Sequence, residues 1–172
     1  MIFSIRATIR EFVAPDHRIS CPRTLWARLA RELWRRGEGV HEAGAFLLGK
    51  ERKGRLVVHE IAFYDDLDPH AYDSGVCILQ SDAFAALWRI CRERRLTVVA
   101  DVHTHPGSPV QSPSDRTNPM VARRGHIAII VPDLAKAPVN VEALGVYEYR
   151  GEHKWTTCNT RRQAALYLGF WS

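Results

Sequence analysis

Two histidines, His103 and His105, close an apolar run, Leu96–Val102, and Asp115 follows a short polar loop. Side chains alternate across a strand, so residues i and i+2 share a face. A strand that persists to its end therefore aims both imidazoles at one point. Pro106 then stops the ladder, because it has no N–H to donate. Ser112-Pro113-Ser114-Asp115 has the signature of a helix start, with a hydroxyl at the cap, proline in the first helical position and an acid closing the box. Two imidazoles and a carboxylate form a three-ligand set that holds zinc and leaves a fourth position for water. A helix start also favours the ionised carboxylate that a metal needs. Without a metal, the same residues read as a strand entering a turn and a capped helix.

Metal-assisted hydrolysis needs a group that accepts a proton and passes it on. Glu42 suits that role, standing two residues before Gly44 on a strand otherwise bound for the core. A carboxylate there is costly unless it works or reaches solvent; the other reading is an exposed glutamate at a strand start. Gly44 weakens a strand and predicts a close backbone approach. His41 is expected on the face opposite Glu42. His17, His59, His70, His126 and His153 lack partner spacing and read as surface or hydrogen-bonded core groups. Cys77 has no base near it in sequence. Cys21, Cys77, Cys91 and Cys158 are widely spaced, as reduced thiols rather than a disulfide framework or a second zinc site.

The elements that must position these residues follow from periodicity. Residues 2–13 alternate as a first strand, and Asp16–Cys21 reads as a turn. Pro22 opens a helix with Leu25, Trp26, Leu29, Ala30 and Leu33 on one face, ended by Gly37 and Gly39. Residues 41–50 and 55–64 read as strands joined at Lys53-Gly54. Asp65–Gly75 is a long polar loop of the kind that carries binding function. Ser81 is expected to cap a second helix bearing Phe84, Leu87, Trp88 and Cys91. A short helix is expected over Pro113–Ala122, followed by strands at His126–Val131, residues 141–149 and Lys154–Thr157. The tail, Thr160–Trp171, is ambiguous between helix and strand. The order of elements predicts an α/β fold, a curved mixed sheet flanked by helices, as a single domain over residues 1–172.

The chain has 172 residues, enough for a proper core, and a net charge of +5. The arginines are dispersed over two amphipathic helices rather than grouped as a phosphate-tracking surface, which argues against nucleic acid as a partner. No apolar run approaches membrane-spanning length, and MIFSIRATIREF lacks a signal-peptide core, so a cytoplasmic protein without a membrane partner is expected.

Glu42-Ala-Gly-Ala-Phe-Leu-Leu-Gly49, then His103-Thr-His105-Pro106, then Ser112-Pro-Ser-Asp115 together resemble the JAMM (JAB/MPN+) metalloprotease motif. The resemblance covers roughly residues 20–150 in element order. It implies a JAB/MPN-like domain in which His103, His105 and Asp115 bind Zn2+, Glu42 is the general base and acid, and Ser112 hydrogen-bonds the oxyanion. The loop between His105 and Ser112 is one residue shorter than the family's usual pattern, which leaves Ser114 as the other source of that contact. Members of the family cleave isopeptide or peptide bonds after the C-terminus of ubiquitin or ubiquitin-like proteins. Bacterial relatives occur beside E1-like and E2-like genes in ubiquitin-like conjugation operons tied to phage defence, and the phrase around Glu42 looks most like those. The implied activity is a zinc-dependent isopeptidase acting on a ubiquitin-like protein or its conjugate, with E1-like and E2-like proteins as possible partners. The alternative is a non-catalytic scaffold of the same fold, which usually loses the metal ligands that are present here.

Overall fold

Two runs of buried residues, Ala43–Gly49 and Val98–His105, form the middle strand pair of an eight-stranded mixed sheet. The computed structural model describes residues 17–136, 138–158 and 164–169. In chain order the elements are β1 (His17–Pro22), α1 (Arg23–Arg36), β2 (Gly44–Arg52), β3 (Arg55–Phe63), α2 (Tyr64–Leu67), α3 (Ser81–Arg94), β4 (Thr97–Thr104), α4 (Pro113–Thr117), β5 (Ile127–Val131), β6 (Gly145–Gly151), β7 (Lys154–Thr157) and β8 (Ala164–Gly169). Single 3₁₀ turns occupy Asp133–Ala135 and Val141–Ala143. The strand order is β7-β6-β5-β4-β2-β3-β1-β8. β4 runs parallel to β5, and β1 runs parallel to both β3 and β8; the remaining pairs are antiparallel.

A strand covered on both faces reads as an unbroken apolar run rather than an alternating one. β2 shows this. Ala45 and Leu47 join the cluster built on Trp26, Leu29 and Leu33 of α1. Phe46 and Leu48 face the other way, into a cluster with Tyr64, Leu87 and Cys91. The sheet is thus a layer between α1 and α3. Its register slips once between β2 and β4, where Leu47 pairs with Ala100 and Leu48 with Val98, leaving Val99 as the extra residue of a bulge. Among the described residues no helix is long and apolar enough to cross a membrane.

Several sequence expectations are corrected. Where a turn is expected over Asp16–Cys21, the described part, from His17 on, is strand β1 (His17–Pro22), and its partners β3 and β8 are remote in sequence. Such pairing overrides the polar local composition of this stretch. Pro22 sits at the cap of α1, one residue before its first turn. Ser81 is the first residue of α3 and makes no cap bond; Gln80 holds the cap position. α4 stops at Thr117, not Ala122, because Asn118 precedes Pro119 and is pushed out of the helical region, with φ −123° and ψ 69°. Asp65–Gly75 begins within a helical turn, α2, and Arg36 Nη1 holds it through Asp65 Oδ1 at 2.5 Å and Asp66 Oδ1 at 2.8 Å. The strand expected over 141–149 begins only at Gly145. The ambiguous tail contains a strand, β8. The strand expected over residues 2–13 lies outside the described residues. The Lys53-Gly54 hairpin turn forms as expected.

Candidate metal centre

β4 continues through His103 and ends at Thr104, and the extended backbone carries one residue further, since His105 N–H donates to Val131 O at 3.0 Å. Asp101, His103 and His105 therefore share one face at period two. The antiparallel register with β2 pairs His103 with Gly44. Continued by two residues, it sets Glu42 opposite His105. The bonds Thr104 N–H to Ala43 O and Ala43 N–H to Thr104 Oγ1, each 2.9 Å, hold that extension in place.

Gly44 is required here by what lies against it. A Cβ at Gly44 would stand 2.2 Å from Cε2 of the Tyr64 ring. Tyr72 secures the same point, its hydroxyl accepting from Gly44 N–H at 3.2 Å and lying 3.1 Å from Gly44 O. The glycine thus lets the strand pass close to two tyrosines and fixes the backbone two residues beyond Glu42.

Asp115 reaches the histidines from α4. Ser112 caps that helix: its Oγ accepts from Asp115 N–H at 3.2 Å, while Asp115 Oδ2 accepts from Ser112 N–H at 2.6 Å. The loop before it is fastened to the sheet edge. Tyr147 Oη donates to Pro109 O at 2.8 Å, and Gly145 admits that carbonyl so closely that a Cβ would stand 1.9 Å from it. Trp155 Nε1 donates to Arg116 O at 3.1 Å. These bonds make a short loop a rigid carrier for Asp115.

The donor atoms converge. His103 Nε2 and His105 Nε2 are 3.1 Å apart, Asp115 Oδ1 is 3.5 Å from the first and Asp115 Oδ2 is 3.3 Å from the second. A tetrahedral zinc with bonds of about 2.0–2.1 Å has its ligand atoms about 3.3–3.4 Å apart. The spacing and the mixed nitrogen and oxygen donor set therefore fit such an ion. Glu42 Oε1 lies 3.8 Å from His105 Nε2, and Glu42 is not one of the converging three. Its carboxylate accepts from Cys77 N–H, and its own N–H donates to Gly75 O at 3.2 Å.

Electrostatics follow from burial and neighbours. Burial pushes the Asp115 carboxyl up, but the two imidazoles and the Ser112 N–H more than reverse this and hold it far below the usual carboxylate range. Burial pushes His103 down, yet Asp101 and Asp115 more than offset that and raise it to about 9. Burial raises Glu42 above its ordinary value, despite the opposing pull of His105 and His103. A carboxyl raised in this way beside a metal site suits a group that takes up a proton and passes it on.

A cavity of about 520 Å³ opens beside these groups. Glu42, His103, Ser112 and Asp115 line its polar side; Leu79, Phe84 and Met120 contribute to its apolar wall. The segment leaving the Asp65–Gly75 loop runs along it, with Val76 and Ile78 about half exposed, at 47% and 49%. Ser112 and Ser114 both line the cavity, Ser112 half-buried and Ser114 exposed.

The structure thus brings together all five residues singled out from the sequence: Glu42, His103, His105, Ser112 and Asp115. Sequence reasoning missed Asp101 and the place of His126 beside it. Asp101, buried at 2%, faces His103 Nδ1 with Oδ2 at 3.9 Å and accepts from His126 Nε2 at 2.6 Å through Oδ1. Its signal lay in the sequence, as an acid two residues before His103 within an apolar run. His126 is one of the hydrogen-bonded core histidines expected, and the register of β5 alone brings it to this site. Cys77 lines the cavity, and its thiol is pushed well up by burial and by Glu42, which leaves it a poor nucleophile.

The fold and the site together define a class. Residues 22–144 match the family of prokaryotic homologs of the JAB domain, and the chain belongs to that family. It is similar to a probable metalloprotease of Sinorhizobium fredii, y4jG, at 23% identity over 138 residues, which cover 80% of this chain and 85% of that one. The solution structure of protein DSY2949 from Desulfitobacterium hafniense shares the fold, with a TM-score of 0.60 at 13% identity over 89% of this chain and 95% of that chain.

Proposed function

We propose that the chain is a zinc-dependent peptidase that cleaves after the C-terminus of a ubiquitin-like protein, releasing it from a conjugate or trimming its precursor. The observation that carries the metallopeptidase reading is the convergence of two Nε2 atoms and one carboxylate at tetrahedral spacing, with a second carboxylate, Glu42, beside them but outside the set. His103, His105 and Asp115 would hold the ion. Zinc bound there supplies Lewis acidity toward a carbonyl and lowers the pKa of water.

The chain's own residues do the rest. Glu42 takes a proton on its carboxylate and delivers it to the departing amine, the task its raised pKa suits. The Ser112 hydroxyl accepts from Asp115 N–H, which leaves its own hydrogen free to donate to a developing oxyanion. The apolar wall of Leu79, Phe84 and Met120 keeps the cavity's dielectric low, which strengthens these interactions. The ubiquitin-like substrate, and a place in a bacterial conjugation pathway in the cytoplasm with E1-like and E2-like partners, rest on the motif resemblance. An extended Gly-Gly tail suits such a site, since glycine lets the backbone pass close to the ligand walls.

The test is cleavage of a panel of ubiquitin-like proteins fused through Gly-Gly to a reporter. Zinc-loaded protein should release the reporter after the second glycine, a chelator should abolish release, and added zinc should restore it. Zinc-loaded protein that leaves every fusion intact would rule out this substrate class.

A further inference from the structure

We propose that Asp101 and His126 form a buried positioning pair that sets the tautomer and ring orientation of His103. The inference rests on the metallopeptidase reading above, because it concerns how one of the three converging imidazoles is held.

Asp101 occupies β4 two residues before His103, on the same face and almost completely buried. β5 runs parallel beside it, and the register Asp101 to Ala128 places His126, just before the strand, within reach of the carboxylate. His126 Nε2 donates to Asp101 Oδ1 at 2.6 Å, with both side chains at or below 3% exposure. The other oxygen, Oδ2, faces His103 Nδ1 at 3.9 Å. The opposite edge of the same ring, Nε2, points at His105 and Asp115. The order is thus His126, Asp101, His103, then the converging donors.

Each link has a physical reason. An imidazole nitrogen that ligates a metal carries no proton, so the proton of neutral His103 must sit on Nδ1. A buried N–H needs an acceptor or it costs free energy. Among the described residues His103 Nδ1 has no hydrogen-bond partner, and the group facing it is the Asp101 carboxylate. Metal-bound histidines generally give their second N–H to such a carboxylate, which fixes the tautomer and raises ligand basicity. His126 completes the set by fixing which way the carboxylate is turned. A purely structural account explains this arrangement poorly. Replacing a buried hydrogen-bonded pair by well-packed apolar residues of the same volume is often neutral or stabilising, and nothing in such an account calls for Oδ2 to face a ligand.

The test measures zinc affinity of the full metal-free chain by competition with a chelating dye, with a thermal melt of each metal-free variant. Asp101→Asn should weaken zinc binding about ten- to a hundredfold. His126→Phe should weaken it about tenfold, and His126→Gln, which returns an N–H donor, should recover most of that loss. The double variant Asp101→Asn/His126→Phe should bind no more weakly than Asp101→Asn alone, because His126 acts only through Asp101. Cobalt loading gives a second readout: the visible bands should move in Asp101→Asn and His126→Phe and return in His126→Gln. Asp101→Asn or His126→Phe binding zinc within twofold of the parent, or losses that multiply in the double variant, would overturn the pair. If His126→Phe lacks a cooperative melt, His126→Asn, which shortens the donor without adding bulk, takes its place under the same criteria. A parent chain that binds no zinc at all would instead overturn the metallopeptidase reading.

Discussion

Replacing Gly44 by alanine adds one methyl group at the closest approach in the site. The new Cβ would stand 2.2, 2.5 and 2.9 Å from Cε2, Cδ2 and Cζ of Tyr64, well inside van der Waals contact. The ring has little room to retreat. Tyr64 is fully buried, and the Phe46 ring packs against it with centroids 4.9 Å apart. Overpacking of this kind costs about 1–3 kcal/mol, and a boxed-in rigid ring places Gly44→Ala at the upper end. For a chain of this size each kcal/mol lowers Tm by about 2–4 °C, so a drop of roughly 5–10 °C is expected by calorimetry. Activity should fall further than stability accounts for, because the strand that must bend carries Glu42 two residues away, while zinc content stays near the parent level. The cause can be isolated. In a Tyr64→Leu background the alanine should cost at least about 1 kcal/mol less, whereas Tyr64→Phe keeps the ring and should give no relief. Tyr64→Phe alone should be neutral or slightly stabilising, since the buried hydroxyl has no hydrogen-bond partner among the described residues. A Gly44→Ala protein melting within about 1 °C of the parent would refute the packing argument.

Three other outcomes follow from the site. Ser112→Ala should lower turnover on the order of a hundredfold and remove about 1 kcal/mol of helix capping, while Ser114→Ala changes turnover little; the reverse order in folded, zinc-loaded variants would assign the oxyanion contact to Ser114. In the metal-free protein His103 is raised from 6.5 to about 9, so its stabilising contribution is fully present below pH 6.5 and lost as pH rises through about 9. Zinc must displace that proton, so its affinity should climb over the same window; a flat affinity between pH 6.5 and 9 would contradict the assignment. Shortening the Asp65–Gly75 loop should raise KM for a ubiquitin-like conjugate and leave cleavage of a short tail peptide nearly unchanged; equal damage to both in a folded, zinc-loaded variant would make the loop structural.

The residues of the site were legible because their geometry is local. His103 and His105 obey the two-residue period of a strand, and Ser112–Asp115 is a capping box readable from four adjacent residues. Glu42 was legible through Gly44, a glycine in an otherwise continuous core strand, and the Tyr64 ring now explains it. β1 was not legible, because its stabilising partners β3 and β8 lie far away in sequence and its own residues are mixed in polarity. His126 carried no functional signal for the same reason: parallel pairing of β4 with β5 brings it to Asp101, and no spacing rule spans that distance. The early end of α4 did have a local sign, Asn118 standing before Pro119, and it outweighed the arginines and glycine further on.

The account turns on a division of labour between three ligands and one proton carrier. Zinc content and cleavage of a ubiquitin-like Gly-Gly fusion, measured side by side on the parent, Glu42→Gln and His105→Ala, test that division directly. The parent should hold about one zinc per chain and cleave, Glu42→Gln should hold the same zinc and fail to cleave, and His105→Ala should lose most of the metal together with the activity. Loss of zinc from Glu42→Gln, or its retention with full cleavage by His105→Ala, would contradict the assignment of ligands and proton carrier.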